Sequence, residues 1–303
     1  MDENRKIKEV LWSSTIKEGA GVVLKRAFGF HEQPSFDPFL LLDDFRSHDS
    51  ESYTKGFPWH PHRGIETITY ILSGKVEHQD SLGNSGIIGS GDVQWMTAGR
   101  GIIHQEMPKG DEDGKIEGFQ LWLNLPAISK MMEPRYQEIS HEEIPKLIFT
   151  NGIQIHLIAG DVSGIKGPVK DPMSDPELLD ILIPPHSSYT HPTKRGHNVF
   201  AYVIEGEGRF TEDQPDYSYS EESENYTEVQ QHKTYHDGAL IHYTDGRQIT
   251  FSTEEHSVRF LLGSGRPLDE PIAWYGPIVM NTSGELREAF REYEENRFLH
   301  DQQ

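Results

Sequence analysis

Short apolar runs alternating with polar residues and cut by Gly, Asp and Pro dominate this chain, and helical periodicity is scarce. Thr67-Ile-Thr-Tyr-Ile-Leu72 leads into Ser73-Gly74 and then Lys75-Val-Glu-His78, which predicts two strands around a turn. Ser81–Gly86 reads as a loop, Gly91-Asp92 as a turn before Val93-Gln-Trp-Met96, and Phe119–Leu123 as a strand ended by Asn124-Leu-Pro126. Many short strands with glycine turns predict an all-β fold, a barrel or jelly roll that hides its sheet edges by closing or by packing two sheets. One helix is signalled late. Thr282-x-x-Glu285 has capping-box spacing, and Leu286, Phe290 and Tyr293 follow at i, i+4 and i+7, giving a face to pack on the body.

The second half repeats the first. Val199-Phe-Ala-Tyr-Val-Ile204-Glu-Gly206 echoes Ile68–Gly74, and Thr244-Asp-Gly-Arg247 echoes Thr97-Ala-Gly-Arg100. Two homologous β-domains are expected, 1–160 and 161–303, the latter carrying the helix. The Gly-, Pro- and Asp-rich stretch 160–180 would join them.

Candidate chemistry sits in the first half. His60-Pro-His62 is followed 42 residues after His62 by His104-Gln-Glu106. On a strand, residues at i and i+2 face the same way, so two such strands would aim three imidazoles and a carboxylate at one point. That N/O set suits Fe(II), Mn, Co, Ni or Zn. A lone strand histidine is ordinarily a satisfied core or surface group, but two alternating pairs are hard to explain so. The duplication supplies a control. Registered on Gly74 and Gly206, His60 and His62 correspond to Pro192 and Lys194; registered on Gly99 and Gly246, His104 and Glu106 correspond to Phe251 and Thr253. The scaffold therefore does not need these four residues. His78-Gln-Asp80 also alternates, but lies at a strand end entering a polar loop and is expected to be exposed. The histidines of the second half (His186, His191, His197, His232, His236, His242 and His256) form no comparable pair of pairs, so no metal site is expected there.

Bulk properties narrow the function. A formal net charge of −21 argues against a general nucleic-acid binder, which needs Lys/Arg contacts to phosphate. Seven acids and no base fall within 211–230, expected to be a solvated loop or a rim that repels anions. No cysteine is present, which excludes disulfides, thiolate zinc and iron–sulfur clusters and fits a reducing compartment. No apolar run is long enough to span a bilayer, and the start is charged, so a cytoplasmic protein is expected, monomeric if the barrels close.

The stretches His60–Thr67 and Gly91–Pro108 closely resemble the pirin family of the cupin superfamily. So do Phe36–Phe45, Phe260–Leu268 and Gly276–Thr282, which extends the resemblance over almost the whole chain. It implies two tandem cupin-type β-barrels, a bicupin, the second without metal. It implies His60, His62, His104 and Glu106 as ligands of one divalent ion, Fe(II) foremost, with Mn, Co, Ni, Zn or Cu as alternatives. General cupins place a ligand Glu soon after HxH; here Glu66 stands in that region, while the pirin arrangement uses Glu106. Some pirin-like proteins cleave flavonols such as quercetin with O2. The resemblance therefore implies a quercetin 2,3-dioxygenase-like oxidoreductase in which Glu106 doubles as the base taking the substrate's hydroxyl proton. Its partners would be a small aromatic or enolic substrate and O2. The alternative it implies is a metal- and redox-dependent regulatory protein that binds transcription factors or metabolic enzymes.

Overall fold

Strand alternation and two exchanged segments set the architecture of the computed structural model, which describes residues 3–211 and 233–299. The acidic stretch beyond Thr211 thus lies outside the described residues. The chain divides into two compact units. One is Ser13–Pro145, Leu157–Glu177 and the segment from Gly265 on; the other is the N-terminal segment to Trp12, Lys146–His156 and Leu178–Ser264.

The strands of the first half are β1 (Ile7–Trp12), β2 (Ser14–Glu18), β3 (Val22–Phe28), β4 (Phe39–Asp44), β5 (Phe57–His62) and β6 (Ile65–Ser73). They continue with β7 (Lys75–Asp80), β8 (Ser85–Ile88), β9 (Val93–Thr97), β10 (Ile102–Lys109), β11 (Glu117–Asn124) and β12 (Arg135–Ile139). In the first unit, seven strands run in the order β12-β9-β6-β11-β4-β3-β2 and four in the order β5-β10-β7-β8. The β6–β7 hairpin turns on Gly74 at φ +79°, where a Cβ would lie 2.8 Å from the Lys109 carbonyl oxygen, so only glycine fits. On β10, buried and part-buried positions alternate, and the buried set is Ile102, His104, Glu106 and Pro108. His and Glu turned inward on a strand take up positions that apolar side chains ordinarily fill.

The C-terminal helix, Ser283–Glu294, starts with the expected capping box between Thr282 and Glu285. Leu286, Phe290 and Tyr293 pack with Ile278, Met280, Ala289 and Phe298. The helix packs in the compact unit of the first-half strands, so the compact units do not follow one cut in the sequence. Long-range contacts decide this. Val279 N–H donates to the Arg63 carbonyl at 3.0 Å, and the buried Lys130 ammonium donates to the carbonyls of Gly64 and Val279 and to Asn124 Oδ1.

In the second unit β1 pairs Ala239–Tyr243 at the edge of a sheet that continues through Asn198–Gly208 and Val258–Gly265. Around Phe251 its interior is apolar. Phe251 has no exposed surface and packs on Phe260 with ring centroids 4.6 Å apart and on Phe210 at 5.6 Å. Among the described residues no helix is long and apolar enough to cross a membrane.

Candidate metal centre

β5 and β10 are antiparallel neighbours, and their register sets His60 directly opposite His104 and His62 opposite Ile102. The two i,i+2 spacings then bring three imidazoles together. His60 Nε2 lies 3.0 Å from His62 Nε2 and 3.0 Å from His104 Nε2. His60 is half-buried, while His62 and His104 are buried. Burial first, and the neighbouring imidazoles second, hold both His62 and His104 well below the usual histidine pKa, so both rings are neutral.

The tautomers test whether a cation fits. His60 Nδ1 is 2.8 Å from the Pro58 carbonyl oxygen and His62 Nδ1 is 3.2 Å from that of Pro277. A carbonyl only accepts, so each Nδ1 carries the proton and each Nε2 presents a bare lone pair. Two lone pairs facing each other at 3.0 Å repel unless a positive charge sits between them. The three histidines form the one His/Asp/Glu group found among the described residues that could hold a metal, and the donor set fits a divalent ion of borderline softness.

Glu106 comes in beside them. Its register against β5 slips past His104, and its Oε2 lies 3.8 Å from His104 Nε2. Oε1 accepts from Thr69 Oγ1 at 3.2 Å, and Thr69 Oγ1 in turn accepts from Gln120 Nε2 at 3.1 Å. Burial holds the Glu106 carboxyl above the usual range against these donors and the nearby His60. Glu66 stays apart from the group. It is buried and accepts from Thr97 Oγ1 at 2.7 Å.

His78 and Asp80 correct a sequence expectation, since both are buried. β7 lies beside β10 with His78 opposite Glu106 and Asp80 opposite His104, so the pair extends the polar inner face. The polar loop next to it misled, because β12 lies over this strand: His78 stacks on Tyr136 with ring centroids 5.9 Å apart, and its Nε2 lies 3.1 Å from Glu138 Oε1. In the second unit Phe251 sits in the aromatic cluster and Thr253 Oγ1 donates to the Pro184 carbonyl at 2.6 Å, while Pro192 and Lys194 are exposed.

A cavity of about 680 Å3 opens onto the histidines, and His60, His62 and Glu106 line it. Trp122 stands edge-on to His62 with ring centroids 5.1 Å apart, and Trp274 packs 6.1 Å beyond it. Exposed Phe30, Trp59 and Tyr275 form its rim. The cavity also reaches Glu18, Arg26 and Asp43, charged residues that the sequence did not single out.

A β-barrel bearing three histidines on adjacent strands, in a chain whose second β-unit shows no such group among the described residues, defines a two-domain cupin. The chain belongs to the pirin family: residues 21–123 match the pirin domain and residues 178–299 the pirin C-terminal cupin domain. A pirin-like protein of Solanum lycopersicum is 40% identical over 288 residues, covering 95% of this chain and 90% of its own. One of Caulobacter vibrioides is 38% identical over 296 residues, covering 97% and 99%. Among solved structures, quercetin 2,3-dioxygenase of Acinetobacter baumannii superposes with a TM-score of 0.83 at 30% identity, covering 98% of this chain and 99% of its own.

Proposed function

We propose that the chain binds one divalent ion, Fe(II) foremost, through His60, His62, His104 and Glu106, and that it cleaves a quercetin-type flavonol or related enolic aromatic with O2. The observation that carries this reading is the aromatic-walled cavity ending on His60, His62 and Glu106, within the size range of sites for small molecules. A bound ion would supply Lewis acidity toward an enolate oxygen and a redox-active centre for O2.

The chain's own residues do the rest. Trp122 and Trp274 offer flat apolar faces to an aromatic ring. Glu106, when it is not holding the ion, accepts the proton of the enolic hydroxyl at Oε2, the oxygen turned toward His104, while Thr69 steadies Oε1. A carboxylate whose pKa burial has raised is suited to that transfer. The carbonyls of Pro58 and Pro277 fix the His60 and His62 tautomers so that both Nε2 atoms stay bare. A regulatory role would use the same ligands, but an aromatic-walled cavity over the histidines favours a small-molecule reaction.

The test is aerobic turnover of quercetin by Fe(II)-loaded protein, with loss of activity in Glu106→Gln and His62→Ala. No turnover with any metal, together with redox-dependent capture of a protein partner, would replace this reading by the regulatory one. Elemental analysis after purification without chelators checks the metal itself.

A further inference from the structure

The inner face of the seven-stranded sheet carries an unbroken row of polar residues. Reading across the register, Arg26 on β3 stands opposite Asp43 on β4, Asp43 opposite Gln120 on β11, Gln120 opposite Thr69 on β6, and Thr69 opposite Gln94 on β9. The neighbouring row two residues along is largely apolar, with Leu41 opposite Trp122 and Thr67 opposite Met96. Asp43, Thr69 and Gln94 are all buried. Polar groups buried in a barrel are costly unless something hydrogen-bonds to them.

One stretch of this row serves the histidine site: Gln120 donates to Thr69 and Thr69 to Glu106. The other end is built differently. Arg26 Nε and Nη2 donate to Asp43 Oδ1 and Oδ2 at 2.8 and 2.7 Å, and Arg26 Nη1 lies 3.1 Å from Glu18 Oε1. Each of the three guanidinium nitrogens therefore already faces a carboxylate. Both Asp43 oxygens keep a lone pair, and Glu18 is half-exposed. One cation and two anions leave this end of the cavity with an excess negative charge and spare acceptors.

We propose that Asp43 and Glu18, held by Arg26, are specificity-determining residues that accept hydrogen bonds from hydroxyl groups on the far ring of an uncharged polyhydroxylated aromatic ligand. A ligand carrying a carboxylate at that end meets two anions and a guanidinium already engaged, and is rejected. Asp43 stands two strands from Thr69, about 10 Å at the strand spacing. A molecule of two linked aromatic units could therefore place one oxygen by the histidines and a pendant diol at Asp43. The inference rests on the flavonol reading, and names which flavonols the cavity prefers.

Binding without turnover tests it. Quenching of tryptophan fluorescence is measured in Zn(II)-loaded and in metal-free protein with three probes: quercetin, the same flavonol without its pendant-ring hydroxyls, and one with a carboxylate on that ring. Wild type is expected to bind quercetin at least about tenfold tighter than either analogue, the range of a lost hydrogen bond to a charged group. Asp43→Asn and Glu18→Gln should each reduce that preference to under about threefold and admit the carboxylate. Glu18 is half-exposed, so its variant keeps the test sound if Asp43→Asn fails to fold. An unchanged preference in Glu18→Gln, equal affinity of wild type for the carboxylate, or no flavonol binding at all would overturn the proposal. Intact preference without turnover would instead overturn the dioxygenase reading and leave this one standing.

Discussion

Arg63, the residue after His62, is gripped by Glu292 of the C-terminal helix: its Nη1 donates to the Glu292 carboxylate at 2.7 Å. Its Nη2 donates to the Phe298 carbonyl at 3.0 Å, and the guanidinium lies 4.2 Å over the Phe298 ring. The strand that carries two of the three histidines is thus fastened by a segment more than two hundred residues away. Arg63→Ala leaves the Phe298 carbonyl and Glu292 without this donor, and should cost about 2–4 kcal/mol. Urea unfolding checks the loss. Glu292→Gln, which keeps a neutral hydrogen bond, should cost about 1 kcal/mol.

Loading with a divalent metal should raise stability, because bare Nε2 atoms 3.0 Å apart are relieved by a cation. A ligand at one hundred times its Kd adds about 2.7 kcal/mol. Thermal unfolding with and without chelator measures the gain, and His104→Ala should abolish it.

Phe251→His places an imidazole at the second-unit position equivalent to His104 by sequence offset. It should not create a metal site, since Pro192 and Lys194 are exposed and Thr253 is engaged with Pro184. It should destabilise by about 2–4 kcal/mol, because a polar ring enters the Phe210–Phe260 cluster. Metal stoichiometry unchanged at that of wild type, with a lowered unfolding midpoint, is the expected result.

Stability should carry a signature of Asp43. Burial pushes its carboxyl up to about 6, although Arg26 pulls it down and Glu18 and Asp44 push it further up. For Arg26, burial works against the charge and the Asp43 and Glu18 carboxylates outweigh it, so the pair is ionised at neutral pH. A folded pKa above the unfolded one means that the native state holds the extra proton. This group's contribution therefore falls as pH rises from about 4 to 6, and its cost is complete above that window. The loss is on the order of 3 kcal/mol. Comparing wild type with Asp43→Asn between pH 4 and 7 isolates it, and the variant should lack the fall.

Much of this was legible in the chain. Period-2 alternation and glycine turns gave the β-architecture, the i,i+2 pairs gave the three converging histidines, and the capping box gave the helix. What escaped depends on pairing across distant strands. His78 and Asp80 look like a hairpin end, and only Tyr136 and Glu138 of the distant β12 make them interior. Arg26 and Asp43 are 17 residues apart, and nothing local shows that β3 and β4 pair them at the cavity wall. The helix was recognised, but its address was set by Arg63, Lys130 and Val279, contacts that no local pattern encodes.

The exchange of segments between the units has a consequence for biosynthesis. On the ribosome, the histidine-bearing strands emerge early, yet Arg63 and Lys130 wait for Val279, Glu292 and Phe298 before their hydrogen bonds can form. The nascent unit must therefore hold its histidine-bearing strands unsealed while the whole intervening unit is translated, and the first-made half is the last to be finished.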